Sequence, residues 1–529
     1  LQLCRVTTVW FSAYKMQYAS LLYKNSNLRK VIFSLAWVFI LGVAKVGWAQ
    51  TDTRFWFVAP EVANSHGDRP IAFRVTSEGQ PTQVRIYTPA NLTTFDTTFT
   101  LPANSTTTIP LTHRIGLIEN DPPNQVLNRG FLIESTELIT AYYEVITAGN
   151  NPDIFALKGR NALGTSFYLP GQNLMRNVHG HERIDIVATE DSTVIQIENR
   201  ATLFRSGGNI NAGSTTTITL NRGQTYSLRT NSQNANVSQA GSRIWSNKPI
   251  AITYIDDSVA GGDFYSGSCF DLLGDQLIPT ALLGQEYIVM RGFLNAVSGS
   301  FREIVMVTAV NDSTGIFING GSRDTTLQRG QTKIYLLNDS AMYIQSSQPI
   351  YVAHISGFGC ETGLAVLPSI SCTGSRQVGF TRTTNEFFGV NLMCKSGNTA
   401  GFLLNGNPLP AGTQFRPVPG TGGVWQFTRL DLDLTTVPVG TGNLITNSSG
   451  PFHMGVINGG ASTGCRYGYF SDFARYEVAG SSNSPRTAPI CEGSTLELYA
   501  DSIAGATYVW TNPAGSPFSS AQNPTIPNM

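Results

Sequence analysis

The sequence predicts an all-β fold of tandem β-sandwich-like repeat units, with a propeller-like ring as the alternative, and three observations carry that prediction. Charged residues make up only 13% of the 529, while 52 glycines stand among abundant Ser, Thr and Asn, a composition suited to strands and turns. No long amphipathic helical pattern occurs after residue 50. The region from 51 to 477 repeats a strand–turn–strand signature. A length of 529 allows roughly three to four domains.

The chain opens with an upstream extension, residues 1–27, in which Met16 is a candidate start. Residues 28–50 read as a signal peptide: Leu28-Arg29-Lys30 precedes an uncharged run from Val31 to Ala44, and Lys45 and the small-residue site Gly47-Trp48-Ala49 follow. That run is shorter than the roughly 20 residues a membrane span needs, so cleavage after Ala49 or Gln50 and a mature chain without a transmembrane span are expected. The alternative is a short buried helix.

Ala188-Thr-Glu-Asp-Ser-Thr-Val-Ile-Gln-Ile197 is echoed by Ala309-Val-Asn-Asp-Ser-Thr-Gly-Ile-Phe-Ile318. Leu220-Asn-Arg-Gly-Gln-Thr225 is echoed by Leu327-Gln-Arg-Gly-Gln-Thr332, and Ser246-Asn-Lys-Pro-Ile250 by Ser346-Ser-Gln-Pro-Ile350. Weaker copies, such as Ser135-Thr-Glu-Leu-Ile139 and Gly450-Pro-Phe-His-Met-Gly-Val456, flank these and give four units, about 51–175, 176–285, 286–375 and 376–477. In each signature the turn chemistry is explicit. Asp191 and Asp312 can accept backbone N–H bonds, Gly223 and Gly330 tolerate positive φ, and Pro249 and Pro349 should open strands. Along Gln83–Tyr87, Val84 and Ile86 should face a core.

Residues 478–489 are Gly-, Ser- and Pro-rich and read as a linker. Beyond them, Cys491 and Trp510 stand 19 residues apart, a spacing that suits an immunoglobulin-like sandwich, of which 490–529 is about half.

Thr53-Arg-Phe-Trp-Phe-Val-Ala-Pro60, the repeated Ser-x-x-Pro-Ile strands, Asp275-Gln-Leu-Ile-Pro279 and Gly284-Gln-Glu-Tyr-Ile-Val289 together resemble the IgGFc-binding protein N-terminal domain family over about residues 51–475. The tail, with Cys491-Glu-Gly and Tyr508-Val-Trp-Thr-Asn-Pro513, resembles Ig-like or PKD-like modules of large secreted bacterial surface proteins. The first resemblance implies an extracellular binding role. Its name comes from binding the Fc part of IgG, but it supplies no Fc-contact residues to transfer to this chain.

Balanced charge, 35 basic against 35 acidic residues, gives no long-range field for nucleic acid, and no such partner is expected. His179-Gly-His181-Glu182 could place two imidazoles on one strand face for Zn²⁺, but a third ligand is not identifiable. His354 and His453 fall in equivalent strands and read as packing or edge positions. Asp256-Asp257 and Asp431-x-Asp433 could supply oxygen ligands to Ca²⁺, though solvated carboxylates are the simpler reading. No nucleophile elbow and no cysteine beside a base is present. No catalytic, cofactor-binding or metal residues are therefore expected, and no cofactor. The leader makes disulfides the default for the cysteines of the mature chain, and Cys360 with Cys372 is the most local candidate. Cys269, Cys360 and Cys465 follow the last recognised strand of their units, which suggests a loop-bearing face.

The expected function is a secreted or cell-surface binding or adhesion protein, not an enzyme, recognising an extracellular protein or glycan, mucin-like or immunoglobulin among the candidates. The alternatives are a structural spacer for a more C-terminal module and an extracellular glycan hydrolase.

Overall fold

Nearly every β unit is built on one long, bent strand whose two halves pair with different neighbours. The computed structural model describes residues 50–67, 69–146, 152–260, 269–294, 303–371, 373–461, 463–473, 480–482, 496–500, 508–511 and 517–526. The proposed leader, 28–50, therefore lies outside the described residues except for Gln50. Residues 47–474 form one compact body.

The first sheet comprises β1 (Asp52–Val58), β2 (Ile71–Ser77), β3 (Thr82–Tyr87), β4 (Asp96–Leu101), β5 (Thr106–Pro110), the long β6 (Gly130–Val145) and β7 (Asp153–Ala156). The second comprises β8 (Gly164–Tyr168), β9 (Arg176–Asn177), β10 (Glu182–Ala188), β11 (Thr193–Glu198), β12 (Thr215–Leu220), β13 (Thr225–Arg229), the long β14 (Arg243–Ala260) and β15 (Phe270–Gln276). The third comprises β16 (Gly284–Met290), β17 (Phe293–Leu294), β18 (Glu303–Ala309), β19 (Thr314–Ile318), β20 (Arg323–Leu327), β21 (Thr332–Leu337), the long β22 (Ala341–Gly359) and β23 (Glu361–Val366). Their strand orders, β4-β3-β6-β2-β5, β12-β11-β14-β10-β13 and β20-β19-β22-β18-β21, are one topology three times.

In the fourth unit the long strand is divided. β24 (Gln377–Thr381), β26 (Phe402–Leu404), β27 (Asn407–Pro408) and β30 (Gly442–Asn447) make one sheet. β25 (Phe387–Lys395), β28 (Arg416–Pro417), β29 (Trp425–Asp431), β31 (Phe452–Gly459) and β32 (Cys465–Tyr469) make the other.

The Ser-x-x-Pro-Ile signature is the bend. In β14, Ser246 pairs with Ile195 of β11, and pairing with β10 resumes at Ile250 opposite Ala188. In β22, Ser346 pairs with β19 and Ile350 with β18. Pro249 and Pro349 thus lie inside continuous strands, a correction to their reading as strand starts. They sit where the strand crosses from one layer to the other and no ladder needs their missing N–H. The serine closes the bend each time: the hydroxyls of Ser135, Ser246 and Ser346 donate to the carbonyls of Glu137, Lys248 and Gln348 at 2.7, 2.6 and 2.7 Å.

The other two signatures meet each other. Asp191 Oδ1 accepts the Arg222 N–H and Asp312 Oδ1 the Arg329 N–H, both at 3.0 Å, while Gly223 and Gly330 have φ of 78° and 77°. Val84 and Ile86 are fully buried, as alternation requires. At Gly241, φ is 78° and a Cβ would lie 1.8 Å from the carbonyl oxygen of Gly330, so only glycine fits this junction of the second and third units.

Strand pairing moves the unit boundaries relative to the sequence reading. Gly164–Tyr168 pairs with β14, so the second unit begins with an edge strand that the sequence reading, with its first unit at about 51–175, attached to the unit before.

The four units close into a ring, so the sandwich and ring readings describe two levels of one architecture. The short inner strands β7, β15, β23 and β32 each touch the next, and β32 returns to β7. The apolar cores run across every junction. Ile255 and Leu272 join the core of the first unit, and Tyr351, Ile355 and Leu364 that of the second. Ile457 and Tyr467 join the core of the third, and Tyr142 and Ile154 that of the fourth. Burial of apolar area at about 25 cal/mol per Å² holds the units to one another as it holds each together.

In the C-terminal segment, β33 (Gly480–Ser482), β34 (Leu496–Ala500) and β37 (Thr525–Ile526) form one antiparallel sheet, and β35 (Trp510–Thr511) pairs with β36 (Pro517–Ser519). The Trp510 indole donates to the Ala521 carbonyl at 2.9 Å. Gly480–Ser482 lies within the stretch read as a linker, yet it pairs with Leu498–Ala500. Cys491 lies outside the described residues.

Candidate binding face

The inner strands line the ring, so the turns that join β22 to β23 and β31 to β32 lie at one end of that lining, near its axis. Cys269, just before β15, and Cys360, in the turn between β22 and β23, form a disulfide with Cα atoms 6.3 Å apart. This corrects the expected Cys360–Cys372 pairing. Cys360 and Cys269 occupy equivalent places in neighbouring units, and ring closure brings equivalent places together although 91 residues separate them. Cys372 lies outside the described residues. The turn before β32 joins the same cluster, since the Cys360 N–H donates to the Ala461 carbonyl at 3.5 Å. Cys465, the third of the equivalent cysteines, is a buried free thiol, and burial pushes its pKa up.

Beside these turns stands an aromatic group that the sequence did not announce. Phe358 stacks on Phe387 with ring centroids 4.2 Å apart and an interplanar angle of 9°, and Phe293 packs on Phe387 at 4.6 Å. All three rings are half-buried, and the Arg429 guanidinium lies 4.8 Å from the Phe293 centroid. The rings come from β17, the end of β22 and the start of β25, so no local periodicity reveals them. Half-exposed aromatics on rigid strands supply contact area at low entropic cost, the property of binding anchors.

His179 is exposed and meets Phe270 edge-on at 5.7 Å. His181 is half-buried, and desolvation lowers its pKa. The two lie in a bend before β10, not on a strand, so the alternation that would align their imidazoles is missing. Among the described residues, ligand atoms suited to a metal converge at Cys269, Cys360 and Glu361, within 4.8 Å of one another, but the disulfide occupies both sulfurs.

Of the acids singled out in the sequence, Asp431 is exposed on β29, and Glu182, Asp256, Asp257 and Asp433 have structural partners. Glu182 and Asp256 are direct cross-strand neighbours, both buried. Glu182 accepts from the Gln239 N–H at 2.6 Å and the Tyr254 hydroxyl at 3.0 Å, and Asp256 from the Gln172 and Asn177 amides, each at 2.7 Å. Desolvation, then the Asp256 charge, raises the Glu182 pKa. Desolvation also raises that of Asp256, with the two amides opposing. Asp257 accepts the Ala63 N–H at 2.8 Å. Asp433 caps a turn, accepting N–H bonds from Thr435 and Thr436 at 3.1 and 2.8 Å, and the Thr436 and Thr435 bonds pull its pKa down to about 2.

These raised acids give the ring a pH dependence of known sign. As pH rises, the unfolded chain ionises near 4 while the folded one keeps its protons. The stabilisation is therefore complete below the unfolded values and is lost as pH climbs through the folded ones. Asp185 and Glu78, both pushed to about 7 by burial, act in the same direction. The urea midpoint of the chain is expected to fall between about pH 5 and about pH 8, and Glu182→Gln to blunt that fall. An equal fall in the variant would contradict the assignment to this pair.

The remaining histidines face inward. His354 Nδ1 is 2.8 Å from the Tyr467 hydroxyl, and Nε2 is 2.9 Å from Glu303 Oε2 without hydrogen-bond alignment. All three side chains are buried, so this Glu–His–Tyr arrangement ties the third unit to the fourth. His453 is also buried, which pushes its pKa down to about 3. A separate shallow concavity of about 520 Å³ lies on the fourth unit, lined by Leu404, Asn405, Asn407, Pro408, Thr435 and Pro438, among others. Among the described residues no helix is long and apolar enough to cross a membrane.

Comparison with curated proteins returns no match. Among solved structures, the N-terminal eight Ig domains of Down Syndrome Cell Adhesion Molecule align over 90% of this chain and 81% of that one at 8% identity. Their TM-score of 0.11 is too low to indicate a shared fold. The family described as IgGFc binding protein matches residues 155–458, from the end of β7 into β31. That is more than half of the sequence and takes in the second and third units whole with most of the fourth, and the chain belongs to the IgGFc binding protein family.

Proposed function

We propose that this chain is a secreted or cell-surface binding protein that takes an extracellular protein or glycan on the axial turn face of its ring. The observation that carries the reading is the half-exposed Phe293–Phe387–Phe358 group beside turns clamped by Cys269–Cys360. It is a rigid aromatic platform on the face where the loops of three units meet. The family name adds the Fc part of IgG as one protein ligand to test. The apolar leader of residues 28–50 supports export. Closure of the units into a ring weighs against the spacer reading, since a ring does not lengthen as units are added. A compact body that ends near residue 474 supports a binding module over about residues 51–477.

The test is the full chain on a mixed array of glycans and glycoproteins that includes mucins and immunoglobulins. Saturable, selective binding that weakens about tenfold or more in Phe358→Ser is expected, as for an interface anchor. A folded, monodisperse chain that binds nothing would return the spacer reading to first place.

A further inference from the structure

We propose that Lys158 and Asp275 join through an isopeptide bond, an amide formed between their side chains inside the folded ring with loss of one water. Lys158 Nζ lies 2.5 Å from Asp275 Oδ1. With a C–O bond of about 1.2 Å, the carboxyl carbon is no more than about 3.7 Å from that nitrogen, close to the roughly 3–3.5 Å of a near-attack arrangement. Both residues are withdrawn from water, Lys158 at 1% exposure and Asp275 at 2%. Lys158 follows β7 and Asp275 stands in β15, so the bond ties the end of the first unit to the second across 117 positions.

The fold holds the two groups in register. The side chain of Gln276, next to Asp275, accepts the Lys158 backbone N–H at 2.8 Å and donates to the Trp56 carbonyl at 2.7 Å. Asp275 is fixed at both oxygens: Oδ1 accepts the Gln276 N–H at 2.8 Å, and Oδ2 accepts the Val366 N–H of β23 at 2.9 Å. The same setting makes an ion pair costly. An ammonium has three protons to place, and among the described residues Lys158 Nζ has two acceptors, Asp275 and the Ala156 carbonyl at 3.3 Å, with the Phe473 ring 5.4 Å away. Burial lowers the Lys158 pKa against the pull of the Asp275 charge, and burial raises that of Asp275. Asp153, whose Oδ2 accepts the Gly274 N–H at 3.2 Å, is also pushed up by burial, which weakens it as a second counter-charge for Lys158. Passing one proton from nitrogen to oxygen removes both buried charges and leaves a neutral amine beside a neutral acid, the forms that amide formation needs.

The reaction takes no co-reactant. The Nζ lone pair attacks the Asp275 carboxyl carbon and the C–N bond forms. Negative charge develops on Oδ2, which faces the Val366 N–H as an oxyanion faces its donor. A proton passes from Nζ to the Oδ1 hydroxyl, the C–Oδ1 bond breaks, and Oδ1 leaves as water. A neutral amide remains, with its oxygen still on the Val366 N–H. Condensation is uphill in water, but here it replaces two desolvated ionisable groups by one uncharged amide and releases a water to solvent. The product is a second covalent clamp on the ring, one that a reductant does not open.

Intact mass spectrometry of the folded full chain, denatured and reduced for the measurement, tests this. Wild-type chain is expected to be lighter than its sequence by one water, and its tryptic digest to hold one branched peptide that joins Lys158 to Asp275 and is uncut after Lys158. Lys158→Met and Asp275→Ala should each restore the full sequence mass and lose the branched peptide. Folded wild-type chain at full sequence mass, with Lys158 and Asp275 in separate peptides, would overturn the proposal. So would a missing water that persists in Lys158→Met, since the loss would then lie elsewhere. The wild-type digest answers the question even if a variant fails to fold.

Discussion

Glu144→Ala is expected to destabilise the ring by about 3–5 kcal/mol, the cost of leaving buried charge unpaired. Glu144 is fully buried and takes the Arg74 and Arg466 guanidinium groups together, the latter at 2.6 Å. Arg466 is 1% exposed and Arg74 9%, so neither cation can turn to water when the carboxylate is removed. Arg74 and Glu144 belong to the first unit and Arg466 to the last, and the loss therefore falls on the closure of the ring. Urea unfolding followed by tryptophan fluorescence measures it. Replacing all three side chains by apolar ones of similar volume should recover much of the loss, because a well-packed apolar trio avoids the desolvation that the ions suffer. A Glu144→Ala chain as stable as wild type would mean that the first and fourth units are not joined through this triad.

Removal of the disulfide, by Cys269→Ser with Cys360→Ser, is expected to cost about 2–5 kcal/mol. The link spans 91 residues and joins neighbouring units, so it limits the unfolded chain over nearly a whole unit. Comparison of oxidised and reduced wild-type chain by the same urea measurement checks it without a substitution. An unchanged midpoint would show that the shared core of Tyr351, Ile355 and Leu364 with the second unit holds this junction unaided.

Much of the unit was legible in the sequence because its signals are local. Asp191, Gly223 and Ser246 each carry a turn or bend whose chemistry spans a few residues, and their copies at Asp312, Gly330 and Ser346 do the same work in the third unit. Pro249 showed where a strand changes partner but not that the strand continues through the change, since a missing N–H is compatible with both. Closure was less legible. It rests on Glu144 meeting Arg466 and Lys158 meeting Asp275, contacts made by residues more than a hundred positions apart. The cysteine pairing failed for the same reason: proximity in sequence favoured Cys372, while symmetry in space delivered Cys269. The aromatic group failed differently, because Phe293, Phe358 and Phe387 come from three strands and none stands out in its own segment.

Hydrogen–deuterium exchange of the chain, with and without the ligand found on the array, shows whether the ligand binds on the axial turn face. Protection is expected at residues 173–181, 358–361, 386–388 and 460–464, around the disulfide and the aromatic rings. Protection confined to the opposite turns, at 189–192, 221–224, 311–313 and 328–331, would mean that the ligand binds the other face of the ring.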